Sequence, residues 1–428
     1  MKKEELVTRS KKEQVLLVVV EYKRHKIDSW TVDQTIDELK ELVKACSAEA
    51  VDNIVCRLDK PTARTLIGEG KVEEIAQRCA QGDIDTVIFS EDLKGSQQRN
   101  LEEVIKKKTI DRTQLILDIF ARRATSLEGK MQVELAQLQY LLPRLVGKGP
   151  ELSRLGGGIG TSGPGETKLE VDRRRISEKI VALERGLKDV SSDRALKRKK
   201  RKDKNIPLIS LVGYTNAGKS TLLNALTQAG QITKDGLFTT LDSLSRQLIL
   251  PNNQKVIISD TVGFMHALPH HLIESFKATL EEVQQADLLL NVVDVSHPEF
   301  RQLHESVLAV LKDLEVLEKP IITVFNKIDK LDDIHWLESF EGNFDAAVSI
   351  SALNKKNIDK LLMMISERVA SLYTEINVDL PINRMDLVSL AHQEGEVYSI
   401  KYYNDKVNVR ASVPKNLAGK FERHHKNS

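Results

Sequence analysis

A glycine-rich run with a lysine and a serine at fixed spacing is the stretch of the sequence best suited to chemistry. It reads "GYTNAGKST" from Gly213 to Thr221 and follows the pattern G-x-x-x-x-G-K-S. Glycines let such a loop wrap closely around phosphates, to which the backbone N–H groups donate. Lys219 can reach the outer phosphates, and Ser220 can ligate Mg²⁺. The run therefore predicts a site for a nucleoside triphosphate and its magnesium ion.

The segments on either side of this run can hold a phosphate loop. "PLISLV" from Pro207 to Val212 has the composition of a buried strand, and "TLLNALTQA" after Ser220 has that of a helix. Strand, loop and helix in this order aim the first N–H groups of the helix at the anion. The local context therefore supports the prediction made from the run itself.

Two later segments supply groups that a phosphate loop lacks. "VIISDTVGF" puts Asp260 at the end of a predicted strand, where its carboxylate can hold the Mg²⁺ shell, and Gly263 can give its N–H to a γ-phosphate. "IITVFNKIDK" ends another strand with Asn326, Lys327 and Asp329. The Asp329 carboxylate can accept hydrogen bonds from N1–H and N2–H₂ of guanine, which adenine does not offer. The base is therefore predicted to be guanine.

Together these motifs resemble those of the P-loop GTPases, over residues 205 to about 373. The resemblance implies a Ras-like domain in which Mg²⁺ is held by Ser220, by the switch residue Thr240 of "LFTTLD" and, through water, by Asp260. Thr239 is the alternative switch threonine. In "AAVSISAL" the backbone of Ser351 and Ala352 can meet guanine O6. The predicted nucleotide-binding residues are Gly213, Tyr214, Thr215, Asn216, Ala217, Gly218, Lys219, Ser220, Thr221, Asp260, Thr261, Val262, Gly263, Asn326, Lys327, Asp329, Ser351, Ala352 and Leu353.

The predicted catalytic residues are Lys219, Thr240 and Gly263, because phosphoryl transfer needs positioning and charge neutralisation more than covalent work. Phe264 follows "DTVG" and has no polar group to orient the attacking water. The sequence therefore predicts slow intrinsic hydrolysis of GTP to GDP and phosphate, stimulated by a partner.

Two interpretations of Asn216 stay open. Many GTPases of this superfamily have glycine at this position, and in K⁺-stimulated members an asparagine here helps hold a monovalent cation near the phosphates. In the alternative, the amide only caps the local backbone. The first interpretation adds K⁺ to Mg²⁺ as a cofactor and predicts hydrolysis rates that differ between K⁺ and Na⁺.

A glycine-rich loop upstream, "LGGGIGTSGPG", lies between two helical stripes. Apolar residues at heptad spacing run from Met131 to Leu145 and from Ile176 to Val190, which predicts two antiparallel helices packed face to face. The loop follows no strand, so it is predicted to be the tip of a hairpin. A solvated, disordered connector is the alternative.

The charge of the chain is unevenly distributed. Residues 106–204 carry 25 Lys and Arg against 13 Asp and Glu, whereas the whole chain has a net charge of only +2. A basic helical segment that ends in "KRKKRKDK" favours a polyanionic partner such as RNA. The alternative is a solvated, charged linker.

The composition limits the remaining possibilities. A chain of 428 residues predicts roughly three domains. The longest apolar run, "VLLVVV", is far shorter than the roughly 18 residues of a membrane span, and no signal peptide precedes it, so the protein is predicted to be cytoplasmic. Cys46, Cys56 and Cys79 lack metal-ligand spacing and are predicted to be packing residues.

The predicted fold is α/β and multidomain. It has an N-terminal α/β docking domain built from βαβ units (residues 1–111), a basic antiparallel helical hairpin (112–204), a Ras-like P-loop GTPase domain (205–373) and a small C-terminal α+β domain (374–428). The last is predicted as a helix followed by two strands joined across "YYNDKV", and no chemistry is assigned to it.

The segments "DRTQLILDIFARRATSLEGKMQVELAQLQYLLPRL", "GGGIGTSGPGETKLEVDRRRI" and "DTVGFMHALPHHLIESFKATLEEV" resemble the HflX family of ribosome-associated GTPases over roughly residues 50–373. The sequence departs from the family at Asp242-Ser243, where Asp-Pro is usual. The resemblance implies a monomeric factor that binds the large ribosomal subunit with GTP, splits stalled or idle ribosomes and leaves after hydrolysis. Its hairpin tip would contact ribosomal RNA. The implied RNA contacts are Gly156, Gly157, Gly158, Gly160, Gly163, Gly165, Arg173, Arg174 and Arg175.

Two other functions stay open from the sequence. One is a GTP-dependent RNA chaperone or regulator that acts on free structured RNA and binds it with a steep salt dependence. The other is a GTP-sensing regulator whose hairpin binds a protein, which the local positive charge disfavours. The sequence also leaves open whether ATP is hydrolysed, and whether Arg173, Arg174 and Arg175 pair with Glu170 or Asp172 instead of RNA.

Overall fold

The computed structural model of the chain describes residues 12–23, 30–145, 168–203, 206–227, 244–265 and 277–425. The chain forms two compact units, and the boundary between them falls inside one long helix, between Leu187 and Lys188. None of the helices in the described ranges combines the length and the apolar character needed to cross a membrane.

The N-terminal region is a four-stranded parallel sheet with helices between its strands, as the alternating pattern predicts. The strand order is β2-β1-β3-β4, and the apolar run Val15–Val20 is the buried part of the central strand β1. Cys56 and Cys79 lie in the core beside it, which confirms them as packing residues, and Cys46 is half-buried. The elements are β1 (Gln14–Tyr22), α1 (Val32–Ala45), β2 (Glu49–Leu58), α2 (Glu69–Gln81), β3 (Thr86–Phe89), α3 (Gly95–Ile105) and β4 (Lys108–Asp111).

A helical region follows, with α4 (Arg112–Arg123), α5 (Leu127–Leu141), a 3₁₀ turn (Leu142–Arg144) and α6 (Lys168–Asp203). Helices α5 and α6 run antiparallel, because Met131 lies against Gly186 while Glu134 pairs with Lys179. The stripe from Ile176 to Val190 on α6 is its least exposed face, as predicted. The stripe on α5 is shorter than predicted, since the α-helix ends at Leu141.

The third region is a six-stranded sheet with the order β10-β9-β8-β5-β7-β6, in which only β6 is antiparallel to its neighbour. All six residues of β5 are buried. The carboxyl ends of the parallel strands β5, β7, β8 and β9 lie at one edge, where a nucleotide binds in open α/β sheets. The elements are β5 (Leu208–Gly213), α7 (Lys219–Thr227), β6 (Leu244–Ile249), β7 (Lys255–Asp260), α8 (Lys277–Gln285), β8 (Leu288–Asp294), α9 (Phe300–Asp313), β9 (Ile321–Asn326), α10 (His335–Glu341), β10 (Ala347–Ser349) and α11 (Ile358–Ala370).

The C-terminal region is a three-stranded antiparallel sheet with the order β11-β13-β12. The predicted helix and the hairpin across "YYNDKV" are both present, and two further elements, β11 and α13, were not predicted. The elements are β11 (Tyr373–Pro381), α12 (Met385–Glu394), β12 (Glu396–Tyr402), β13 (Lys406–Pro414) and α13 (Lys415–His425). The region is α+β, with both helices contributing side chains to one apolar core against the sheet.

Candidate nucleotide-binding site

The loop between β5 and α7 has backbone conformations that favour small or amide side chains. Gly213 and Gly218 have φ angles of +147° and +95°, and Asn216 has a φ of +63°. A Cβ atom on Gly213 would collide with the carbonyl of Val292, and one on Gly218 with the amide of Asn326. These positions therefore require glycine both for backbone angle and for space.

Lys219 begins α7 and lies buried under this loop. Its Nζ donates hydrogen bonds to the carbonyl oxygens of Gly213 (3.0 Å) and Tyr214 (2.7 Å). The pKa of Lys219 is lowered from 10.5 to about 8, mainly by burial; the Asp260 carboxylate raises this pKa and the Lys327 ammonium lowers it, both by less than burial does. A buried ammonium with two neutral acceptors still lacks a full countercharge, which phosphate oxygens would provide.

Ser220 and Asp260 meet on the other side of the loop. The Ser220 hydroxyl donates to Asp260 Oδ2 over 2.6 Å, and Asp260 is fully buried at the end of β7. A hydroxyl and a carboxylate are the oxygen donors that Mg²⁺ prefers. The pair thus fits a magnesium site in which one residue contacts the ion and the other holds its shell.

The segment after β7 is fastened to the phosphate loop. Phe264 donates its N–H to the Gly213 carbonyl (3.0 Å), and its carbonyl accepts from the Thr215 N–H (2.8 Å). The Phe264 side chain is 4% exposed. The residue that follows "DTVG" is therefore held at both backbone groups and turns its ring into the core, away from solvent. Thr261 adds a third tie, from its hydroxyl to the Leu211 carbonyl (2.6 Å).

The base-recognition segments are joined to the phosphate loop by one amide. Asn326 Nδ2 donates to the Ala217 carbonyl (2.9 Å), and Asn326 Oδ1 accepts from the Ala352 N–H (3.0 Å). The Ser351 hydroxyl donates to Asp329 Oδ1 (2.5 Å). Asp329 itself is exposed, so its carboxylate is open to a base from solvent.

Sequence reasoning missed Asp294, which ends β8 at the same edge of the sheet. Its Oδ2 pairs with Lys327 Nζ over 2.7 Å, and both side chains are mostly buried. Ser296 fixes the other oxygen, Oδ1, through its N–H (3.0 Å) and its hydroxyl (2.6 Å). A carboxylate at the end of the buried run "LLLNVVD" was the available signal, since it places Asp294 beside Asn326 in the sheet register.

Several predicted site residues lie outside the described residues. They are the switch threonines Thr239 and Thr240 and the glycines Gly156, Gly157, Gly158, Gly160, Gly163 and Gly165. Leu353 is described and is 72% exposed beside Ala352.

The predicted arginines lie on the first described turns of α6, where all three are exposed. Arg174 approaches Glu178 and Arg175 approaches Asp172, each at 4.0 Å. Such exposed pairs contribute little free energy, about 0–1 kcal/mol, and leave the guanidinium groups able to exchange partners.

Comparison with known proteins assigns the family. Models described as "GTP-binding GTPase N-terminal", "GTP-binding GTPase Middle Region" and "50S ribosome-binding GTPase" match residues 33–121, 123–201 and 208–327. GTPase HflX of Caldanaerobacter subterraneus is 45% identical over 402 residues, which cover 94% of this chain and 91% of that protein. The chain belongs to the HflX family. GTPase HflX of Escherichia coli is 41% identical over 356 residues, covering 82% of this chain and 84% of that protein.

Membership of the HflX family makes the chain a GTPase, with GTP and GDP as its nucleotides. A solved structure of a GTP-binding protein from Sulfolobus solfataricus in complex with GDP is also similar, with 25% identity, a TM-score of 0.44 and coverage of 84% of this chain and 99% of that one. At this TM-score the likeness adds nothing to the assignment, which rests on the sequence matches. P-loop GTPases generally depend on Mg²⁺, and the Ser220–Asp260 pair suits that ion.

Proposed function

We propose that this HflX-family GTPase binds the large ribosomal subunit in its GTP-bound form, dissociates stalled or idle ribosomes into subunits and leaves after hydrolysis. On this proposal it works as a monomer in the cytoplasm, partly bound to ribosomes. The observation that carries the proposal is the exposed arginine cluster Arg173–Arg175, on a basic helix in the same chain as the GTPase site. The description "50S ribosome-binding GTPase" of the family model that matches residues 208–327 agrees with it.

The arginine cluster supports an RNA partner by its charge and its accessibility. The side chains of Arg174 and Arg175 are 55% and 74% exposed, and their ion pairs with Glu178 and Asp172 are long, at 4.0 Å. Guanidinium groups this accessible can exchange those carboxylates for phosphate oxygens of RNA. Their binding to the phosphates releases counterions from the RNA. The glycines of the preceding loop are proposed to approach folded RNA closely with their backbone.

The backbone hydrogen bonds that hold Phe264 in place support GTP hydrolysis that depends on the ribosome. Neither its ring nor its tied backbone can orient a water molecule at a γ-phosphate. We therefore propose that the ribosome supplies or orders the missing group. Lys219, Thr240 and Gly263 are the proposed catalytic residues, with Mg²⁺ held by Ser220, Thr240 and, through water, Asp260.

A monovalent-cation site at Asn216 belongs to the same proposal. Within the described part of the chain, the Asn216 side chain makes no hydrogen bond that would support a capping role, and the residue lies within the phosphate loop at a positive φ. Hydrolysis measured in K⁺ and in Na⁺ tests this point, and equal rates would remove K⁺ from the mechanism.

The proposed function is tested by sedimentation of assembled ribosomes mixed with the protein and GTP, a non-hydrolysable GTP analogue or GDP. We expect free subunits with GTP and with the analogue, and protein on the large subunit. Intact ribosomes with unbound protein in every sample would contradict the proposal. Equally tight binding to protein-free ribosomal RNA would favour the RNA chaperone instead.

Charge reversal of the arginine cluster sharpens this test. Glutamate at all three positions of Arg173–Arg175 should leave GTP binding unchanged but abolish subunit release, and should reduce the salt dependence of binding by about one unit per lost phosphate contact. The matched control places glutamate at the exposed lysines Lys40, Lys44 and Lys60. Equal loss of ribosome binding in both variants would show a general charge effect rather than a contact made by the cluster.

A further inference from the structure

The two edges of the C-terminal sheet differ: the apolar core is covered at the β11 edge and partly exposed at the β12 edge. Cross-strand neighbours share a face of a sheet, so the buried face can be followed in rows from β11 through β13 to β12. Two of these rows are Leu380, Val407, Tyr402 and Val378, Val409, Ile400.

Exposure rises abruptly at the β12 end of these rows. Leu380 and Val407 are 0% exposed, whereas Tyr402 in the same row is 66% exposed. Ile400 is half-buried, although its neighbour Val409 is fully buried. Helix α13 packs along β11, so that edge of the core is covered, but Tyr402 extends the apolar face beyond the cover that α12 provides.

The backbone of β12 is also at an edge. It is the last strand of the sheet in the described chain, so the N–H and C=O groups on its outer side can pair with a further strand. A bulge between Val397 and Ser399 and the charged Lys401 interrupt this edge. Lysines and bulges are features by which proteins limit pairing at exposed edges, so a strand that adds here has to follow the bulge and accommodate Lys401.

Charge on the opposite face indicates what such a partner must bring. There Asp379, Asn408 and Lys401 form a row, and Asp379 accepts from Asn408 (2.8 Å) and from Lys406 (2.9 Å). Arg410 on the same face pairs with Glu375 at 3.5 Å. Among the described residues, no carboxylate pairs with Lys401, which is exposed at the edge. A carboxylate on the next strand in the row would lie beside Lys401 and pair with it.

We propose that β12 is a docking edge for an extended segment of a partner protein, which adds a fourth strand to the sheet. The segment carries apolar side chains at alternate positions, which cover Tyr402 and Ile400, and a carboxylate on the other face opposite Lys401. Strand addition of this kind draws affinity from main-chain hydrogen bonds and specificity from alternate side chains.

The chain itself contains a segment of this chemistry, which serves as a probe. Strand β11 reads "YTEINVDLP" and alternates apolar residues with two carboxylates. A nine-residue peptide of this sequence, added to the full-length protein, should slow amide hydrogen exchange in residues 396–402. A control peptide in which lysine replaces both carboxylates should slow it much less.

Charge reversal at the edge tests the specificity. Lys401→Glu should weaken binding of the acidic peptide about fivefold and make the lysine peptide the better ligand, since an exposed ion pair contributes up to about 1 kcal/mol. Lys420→Glu, the same change at an exposed site on α13, should leave both peptides unaffected.

Three results would overturn the proposal. The first is no slowing with either peptide, and the second is equal slowing by both peptides in the wild-type protein. The third is slowing that depends on protein concentration without peptide, which would make a second copy of the chain the occupant. Slowing restricted to the acidic peptide, and reversed by Lys401→Glu, would support it.

Discussion

Gly263 stands where the segment after β7 touches the phosphate loop, and replacing it with alanine should impair GTP binding more than GDP binding. A Cβ atom at this position would lie 2.8 Å from both Cα and Cγ2 of Thr215 and 3.0 Å from Lys219 Nζ. The Thr215 backbone is held by its hydrogen bond to Phe264, so it cannot yield cheaply. The Gly263 backbone must therefore move away from the loop.

The expected magnitudes follow from these contacts. Overpacking of this kind costs about 1–3 kcal/mol of folding free energy. The displaced Gly263 N–H would also lose its predicted hydrogen bond to the γ-phosphate, and a bond to a charged group is worth about 1.5–3 kcal/mol. GTP affinity should then fall by about 10- to 100-fold. GDP lacks the γ-phosphate, so its affinity should change far less.

The assay compares affinities for fluorescent GTP-analogue and GDP ligands, together with denaturant unfolding. Gly342→Ala is the matched control, because a Cβ atom there meets only Ser339 O at an ordinary 3.5 Å. If the two variants had the same ratio of GTP to GDP affinity and the same unfolding midpoint, the reasoning about the close approach at Gly263 would be refuted.

Three further predictions concern charges in the site. Because burial lowers the pKa of Lys219 to about 8 and phosphates restore its charge, nucleotide binding should take up about 0.9 proton at pH 9 and about 0.1 at pH 7, and affinity should fall as pH rises above 8. Calorimetry in buffers of different ionisation enthalpy measures this uptake, and equal uptake at both pH values would contradict it. Asp329→Asn should weaken GTP binding at least about tenfold and favour xanthosine triphosphate, because O2 of xanthine accepts a hydrogen bond from the new amide. Competition binding measures the base preference, and an unchanged preference would show that Asp329 does not contact the base. Asp294→Asn should leave Lys327 without its carboxylate and weaken GTP and GDP equally, by about 1–3 kcal/mol; a selective loss of GTP would place the effect at the phosphates instead.

The phosphate side of the site could be predicted from sequence because its determinants are local. Gly213 to Ser220 are consecutive, and the strands that end at Asp260 and Asn326 are short buried runs bounded by polar residues. The structure confirms those strands and brings their ends to one edge of the sheet. The Asp294–Lys327 pair could not be predicted in the same way, since it joins the ends of two strands through the sheet register.

Two parts of the fold were predicted incorrectly because the apolar periodicity of the sequence does not encode them. Strand β11 contains Asn377 and Asp379, which are poor strand formers, and it is stabilised by pairing with β13, far along the chain. On α5 the apolar spacing continues to Leu145, but Pro143 cannot continue a helix, and a 3₁₀ turn follows Leu141. Periodicity alone does not register either constraint.

The two hydrogen bonds of Asn326 fix the distance between the part of the site that binds phosphates and the part that binds the base. The Asn326 amide bonds the phosphate loop at Ala217 and the base-recognition segment at Ala352. The separation of these two segments is therefore set when the protein folds. A nucleotide that fits does not have to order these loops, and the entropy of ordering does not weaken its binding. Guanosine and free triphosphate should each find half of the site already shaped, and the molecule that joins them at the right spacing gains from both.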